Sequence, residues 1–389
     1  MKAIALDDPL VTIHGAADFD HTERGRSPRR LPAWSRQQVP DALSDVASRM
    51  PAGCYIALRT SATVVELDAR TTSLHSPPTD PRPAVFDLVV DGQIGESVAV
   101  DDGDRLVVRS LRPLEVAIEL GQPAGVRFAG LPEGVKDLEI WLPHNATVEL
   151  NELRLDDTAT LEPALADARK TWAHYGSSIS HCLEVPRPTD VWPAQVARTA
   201  NLSLVDLGFG GSCHLDQYAA RTIRDLEADV ITLKVGINVS NGDTMRERAF
   251  VPAIHGFLDT IREGQPDVPI VVISPIICPP AEDWPGPQAR TPDDPKFRPV
   301  ERSEELMVGA LTVRRMRELL EASVVGRRER GDANLHYLSG LDLFGEADAH
   351  LLPDDLHPSP QGYRMIGERF ASLVFGADGI LRDTTTLAR

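Results

Sequence analysis

Lysine is scarce in this chain: only positions 2, 136, 170, 234 and 296 carry it, so Arg supplies most of the 40 basic residues. Even with every Arg counted, positive charge is in deficit, with 58 acidic residues and a formal net charge of -18 at pH 7. A surface of that sign repels a phosphate backbone, which excludes nucleic acid as an expected partner. Cysteine is sparse too. The four residues, Cys54, Cys182, Cys213 and Cys278, form no C-x-x-C pair, so free thiols are expected rather than a disulfide framework or a zinc site. No two histidines stand at H-x-x-x-H spacing, and no metal is expected. Long apolar runs are missing as well. The most apolar stretch, "VPIVVISPIIC", is too short to cross a bilayer and contains proline, so no membrane partner is expected. The opening "MKAIALDDPLVTIHG" has no apolar core of secretory type, and a cytoplasmic location is the resulting expectation.

What is present is an ordinary globular composition, 42% hydrophobic and 25% charged over 389 residues, long enough for two domains. The two halves have different rhythms. From about residue 50 to 155 short runs alternate with period two ("TVVELDA", "VFDLVV", "LEVAIEL", "ATVELNEL"), separated by turn-forming "DGQIG", "DDGD" and "GQPAG". That pattern predicts an all-β sandwich, jelly-roll-like, over residues 1–165. The polar, Pro- and Arg-rich segment 21–40 reads as a loop or an irregular N-terminal arm. After about residue 165 the rhythm becomes strand, loop, helix. Buried strands are expected at 171–176, 202–208, 229–236, 269–275 and 335–340, with helices near 190–200, 214–227, 246–263, 302–325 and 360–374. Five strands each followed by a helix predict a parallel sheet covered on both faces, an α/β domain over 166–389. Ligands of such sheets sit beyond the carboxyl ends of the strands, and the unusual residues fall there: "YGSS", "GFGGS", "GINVSNG", a long Pro-rich loop suited to a lid, and "PDDLHPSPQGY".

A serine hydroxyl becomes a useful nucleophile when a base takes its proton, a third group orients the base, and donors receive charge on the substrate oxygen. Ser178, at the sharp end of the first strand, is the candidate nucleophile, and its own N–H a candidate oxyanion donor. His357 is the candidate base, and Asp354, three residues earlier, the orienting carboxylate. Gly211 offers an unobstructed backbone N–H and Asn238 a side-chain amide as further oxyanion donors. Alternatives stand beside each assignment. Ser177 competes as nucleophile and Asp355 as orienting carboxylate, and the serine pair taken alone favours a polar strand-ending turn. "GFGGS" also suggests a phosphate-binding turn, but the third glycine of G-x-G-x-x-G falls at Cys213, so that fingerprint fails. His174, His181, Trp172 and Trp192 read as packing residues, and Cys182 and Cys213 as pocket walls.

These blocks, "YGSSIS", "GFGGS", "GIN" and "DDLHPSPQGY", resemble in order the four blocks of the SGNH, or GDSL-type, serine hydrolases. The resemblance covers about 170 to 375 and implies a flavodoxin-like three-layer domain with a Ser178–His357–Asp354 triad and oxyanion donors at Ser178, Gly211 and Asn238. It also brings departures: Ser177 stands where the family usually has Asp, Cys182 where it often has Gly, and Val239 where many members carry Asp. A β-sandwich ahead of such a domain resembles a narrower two-domain group, salicylyl acyltransferases of tetracycline polyketide biosynthesis among them. That resemblance implies acyl transfer to a hydroxyl of a polyketide-type small molecule, with no bound cofactor and a coenzyme A thioester as co-substrate. Hydrolysis of carboxylic or acetyl-sugar esters is the alternative, and a carbohydrate-binding protein with an inactive hydrolase domain is the alternative of another class.

Overall fold

A computed structural model describes residues 1–75, 80–111, 114–164, 167–291 and 294–382. The chain divides into two compact units. One comprises Met1–Arg36, Asp45–Ala168 and Pro186–Val191; the other comprises Gln37–Ser44, Arg169–Val185 and Trp192–Arg389. The boundary expected between residues 165 and 166 lies outside the described residues.

Among the described residues the first unit is a pair of β-sheets, one of eight strands and one of six, with an apolar core shared between them. Alternation explains it. Along Ala124–Ala129 burial switches at every residue, which turns Val126 and Phe128 inward, onto a core that includes Ile56, Leu58, Phe86 and Ile140. Between Ala84–Val90 and Gln93–Val100 the turn is Asp91-Gly92, both at positive φ (46° and 78°), as a two-residue hairpin requires. Segment 21–40 is not the irregular arm its composition suggests. Asp18–Thr22 pairs antiparallel with Gly25–Arg29, the latter bonds to Ala146–Leu155, and Ala33–Gln38 forms a 3₁₀ turn. The arginines that make the segment look solvated are paired across it: Arg29 bonds Asp20 at 2.5 Å and Asp45 at 2.8 Å. Arg30 is buried, with a guanidinium N–H donated to the Ala47 carbonyl at 2.6 Å.

The second unit contains five parallel strands: β1 Lys170–Gly176, β2 Leu202–Gly208, β3 Val230–Lys234, β4 Ile270–Ile273 and β5 Leu335–Leu338, in spatial order β2-β1-β3-β4-β5. This is the flavodoxin-like order. Successive β1 side chains point to opposite faces: Trp172 stacks on Phe370 of helix Pro360–Phe370 at 5.3 Å, whereas Tyr175 stacks on Phe257 of helix Glu247–Gly264 at 5.2 Å. Helices therefore cover both faces, giving three layers. The helix expected over 302–325 is two, Glu304–Met307 and Val313–Glu329. Gly309 at φ +73° interrupts them, and Thr312 caps the second by accepting the Arg315 N–H at 3.1 Å. Among the described residues no helix is long and apolar enough to cross a membrane.

The Pro-rich segment after β4 contains the 3₁₀ turn Pro279–Ala281 and a hairpin of Gln288–Thr291 with Asp294–Pro299. Its root is held by a buried ion pair. Arg317 donates to both Glu282 oxygens at 2.7 and 2.8 Å and to the carbonyls of Pro275 and Ile276, while Glu282 also accepts the Cys278 N–H. Breaking such a pair leaves a buried charge uncompensated, at about 3–5 kcal/mol. Arg317→Ala is expected to lower the urea-denaturation free energy by about that amount, and Arg317→Ala with Glu282→Ala to recover part of it; equal losses in single and double variants would contradict the pairing.

Candidate active site

At the ends of β1 and β2 the following turn packs so closely on the strands that only glycine fits. A Cβ at Gly176 would stand 2.1 Å from Ser180 Oγ, and one at Gly208 would stand 2.8 Å from the His181 backbone nitrogen. That turn is one turn of helix, Ser178–His181, capped by Ser177 and ended by Cys182 in the left-handed region at φ 58°. Ser177 is fully buried, and its hydroxyl accepts the Ile179 N–H at 3.3 Å. It therefore does the capping work an Asp would do at that position. Ser178, the next residue, has its hydroxyl free to turn outward, and Ser178 Oγ is 2.9 Å from His357 Nε2.

His357 comes from the loop after β5. Its Nδ1 is 2.7 Å from Asp354 Oδ2, while Asp354 Oδ1 accepts the backbone N–H groups of His357 and Leu356 at 2.6 and 3.0 Å. The carboxylate is thus bound on both oxygens, which fixes the ring tautomer with its proton on Nδ1. Asp355 points elsewhere: it pairs with Lys296 at 3.1 Å and Arg298 at 2.7 Å. The hairpin packs on the same loop, with the Phe297 N–H donated to the Asp354 carbonyl at 2.9 Å and its ring edge-on to His357 at 5.8 Å.

Gly211 sits at φ +72° with open space around it. Among the described residues, neither the Ser178 nor the Gly211 backbone N–H has an acceptor. Asn238, in the turn Ile237–Gly242 after β3, accepts the Cys213 N–H on Oδ1 at 3.0 Å. That contact fixes the amide so that its NH2 end remains the donor. Asn238 is buried to 8% exposure.

Charges around His357 oppose one another. Burial lowers the imidazole, but the Glu184 carboxylate and the hydrogen-bonded Asp354 outweigh it, and the group lies above its ordinary 6.5. Burial also works against ionised Asp354, yet its bonds to His357 and to backbone N–H groups hold its carboxyl below the ordinary range. Beneath the turn bearing Ser178 a neutral network runs from Thr232 Oγ1 through His174 to Ser180 Oγ, each link 2.7 Å. Full burial, helped by Lys234, pushes His174 down to about 3, so it serves as an uncharged strut. Burial pushes the Cys213 thiol up to about 12 and Cys182 well above its ordinary value, which suits inert walls rather than a second nucleophile. Among the described residues no group of three His, Cys, Asp or Glu is arranged to hold a metal ion.

Three contributors have no sequence motif. Glu184 is held by the Tyr363 hydroxyl at 2.7 Å. Ser44, far away in the chain, donates to Ser212 Oγ in the glycine loop at 3.0 Å. Phe297 comes from the Pro-rich segment. Each arrives through tertiary folding, and only the length of the Pro-rich segment hinted at one of them.

Comparison with known proteins agrees with this architecture. The GDSL-like lipase/acylhydrolase family model matches residues 174–365. The salicylyl-acyltransferase SsfX3 from a tetracycline biosynthetic pathway superposes with a TM-score of 0.78 at 28% identity, covering 95% of each chain. A GDSL-like lipase structure from Bacteroides ovatus gives 0.66 at 17% identity, covering 93% of this chain and 94% of that one. A family two carbohydrate esterase from Cellvibrio japonicus gives 0.60 at 11% identity, covering 100% and 99%. The last two share the fold alone. Among curated proteins none matches the sequence. With glycine-bounded strand ends, a serine facing a histidine and a matching family model over the same span, residues 174–365 form a domain of the GDSL-like lipase/acylhydrolase family, an SGNH-type fold whose similar structures include an acyltransferase and esterases.

Proposed function

We propose that this protein is a serine-dependent acyltransferase that moves an acyl or aryl-acyl group from a coenzyme A thioester to a hydroxyl of a polyketide-type small molecule. The carrying observation is the linear chain Ser178 Oγ, His357 Nε2, His357 Nδ1, Asp354 Oδ2, with links of 2.9 and 2.7 Å. In the first half-reaction His357 takes the Ser178 proton as Oγ attacks the carbonyl carbon. The tetrahedral oxyanion is received by the N–H groups of Ser178 and Gly211 and the Asn238 amide. The bond to the leaving group then breaks, and His357 returns the proton to it. In the second half-reaction His357 takes a proton from the acceptor hydroxyl, which attacks the acyl-Ser178 carbonyl and restores the serine. Three oxyanion donors, each worth about 2.7–4 kcal/mol of transition-state stabilisation, are a sufficient engine. The substrate class rests on likeness to the salicylyl-acyltransferase over both units. Hydrolysis is the second reading, favoured by the family's acylhydrolase members; it differs only in water replacing the acceptor.

The first test is fluorophosphonate labelling with mass-spectrometric mapping. Labelling at Ser178 that disappears in Ser178→Ala is expected; a label that survives that substitution, or an unlabelled native protein, contradicts the assignment and favours a binding protein with an inactive domain. Asp354→Asn is expected to reduce kcat roughly 10³–10⁴-fold, and unchanged turnover would require another orienting group. Ester or thioester panels with and without hydroxylated acceptors separate transfer from hydrolysis.

The pH dependence has a definite sign. His357 must be neutral to accept the Ser178 proton, and its folded value lies above 6.5. Activity is therefore present at higher pH and lost as pH falls through a midpoint above 6.5. Glu184→Gln removes a carboxylate that favours the imidazolium, so the acid limb of kcat/KM is expected to move to lower pH; a shift to higher pH would contradict the account.

A further inference from the structure

Around the catalytic loop nearly every cation is matched by an anion. Lys296 and Arg298 share Asp355, and Arg302 pairs with Asp243. Arg290, on the first strand of the hairpin, differs: it is half-buried, and among the described residues no carboxylate pairs with it. Its guanidinium lies over the Phe297 ring, 5.0 Å from the centroid, and that ring meets His357 edge-on at 5.8 Å. Phe297 is itself pinned to the Asp354 carbonyl. An unmatched positive charge is thereby held one aromatic ring away from the reacting histidine, in a chain whose net charge is -18. Its field is felt there, since Arg290 opposes protonation of His357.

A guanidinium kept partly out of water without a counter-ion is costly unless a ligand supplies one, and its planar fork suits the two oxygens of a carboxylate or phosphate. Contact with the face of Phe297, 5.0 Å from the ring centroid, is a cation–π contact that leaves the N–H groups available. We propose that Arg290 is a specificity residue that binds an anionic oxygen group, carboxylate or phosphate, of the substrate whose carbonyl reacts at Ser178. This rests on the reading of Ser178 and His357 as the reacting pair. The anion belongs either to the acyl chain or to the phosphates of a thioester leaving group. Once bound it also cancels the charge that disfavours the imidazolium, so a correct substrate strengthens His357 as a base.

The test uses two matched pairs on the pH plateau: mono-4-nitrophenyl adipate against 4-nitrophenyl hexanoate, and acetyl-coenzyme A against S-acetylpantetheine. Wild-type protein is expected to prefer the anionic member of at least one pair, and the pair concerned identifies the source of the anion. In Arg290→Gln the anionic-to-neutral ratio of kcat/KM is expected to fall at least tenfold, chiefly through KM, with Arg290→Lys intermediate. Calorimetric titration with coenzyme A and with pantetheine reads the phosphate arm without turnover. No anionic preference in either pair and no tighter binding of coenzyme A, or ratios and binding unchanged in Arg290→Gln, overturn the proposal. Ser178→Ala is run alongside: turnover surviving it sinks the catalytic reading, whereas turnover lost there with an unchanged Arg290→Gln ratio sinks the Arg290 inference alone.

Discussion

The hydrogen bond between Ser178 Oγ and His357 Nε2 joins residues 179 apart in sequence, and the rest of the α/β unit can be understood as holding its two ends. At the serine end, the helical turn bearing Ser178 rests directly on the strand ends, so closely that it excludes any side chain at Gly176 or Gly208. The cap from Ser177 and the Thr232–His174–Ser180 network keep that turn from shifting. At the histidine end, Asp354 binds the ring and two backbone N–H groups at once. Neither end makes the contact alone: Ser178 Oγ meets His357 Nε2 only because the loop after β5 and the turn after β1 are both held in place.

Electrostatics around this bond are a contest in a small space. Glu184 and Asp354 draw a proton toward His357, while burial and Arg290 push it away. The carboxylates prevail, so the imidazole holds a proton more readily than an ordinary histidine does. His174 is buried as well, but its charged neighbour is Lys234 rather than a carboxylate, and it stays neutral, while carboxylates near the two buried cysteines only push their thiols further up. The charged neighbours, rather than burial, thus set His357 apart from His174.

Much of this was legible in the sequence where local physics is strong. The five expected strands end at glycine or proline, and each overlaps its observed counterpart. Ser178, Gly211, Asn238, Asp354 and His357 stood out because each follows a strand end. Segment 21–40 was misread because arginine and proline signal solvent when counted singly, whereas Arg29 and Arg30 are satisfied by Asp20, Asp45 and a backbone carbonyl. The single helix expected over 302–325 failed at Gly309, whose left-handed backbone breaks a pattern that remains helical on either side. Glu184, Tyr363, Ser44, Arg290 and Phe297 could not be found from spacing, because their roles depend on which loops fold back over the sheet.

The central claim is that Ser178 carries the acyl group between donor and acceptor. Intact-protein mass spectrometry after acid quench of a reaction with a slowly turned-over aryl ester or thioester tests it most directly. The account predicts a protein heavier by one acyl group, the modification mapping to Ser178 and decaying when a hydroxylated acceptor is added. Turnover with no acylated protein at any time, or an acyl group found on Ser177 or a cysteine instead, would contradict it.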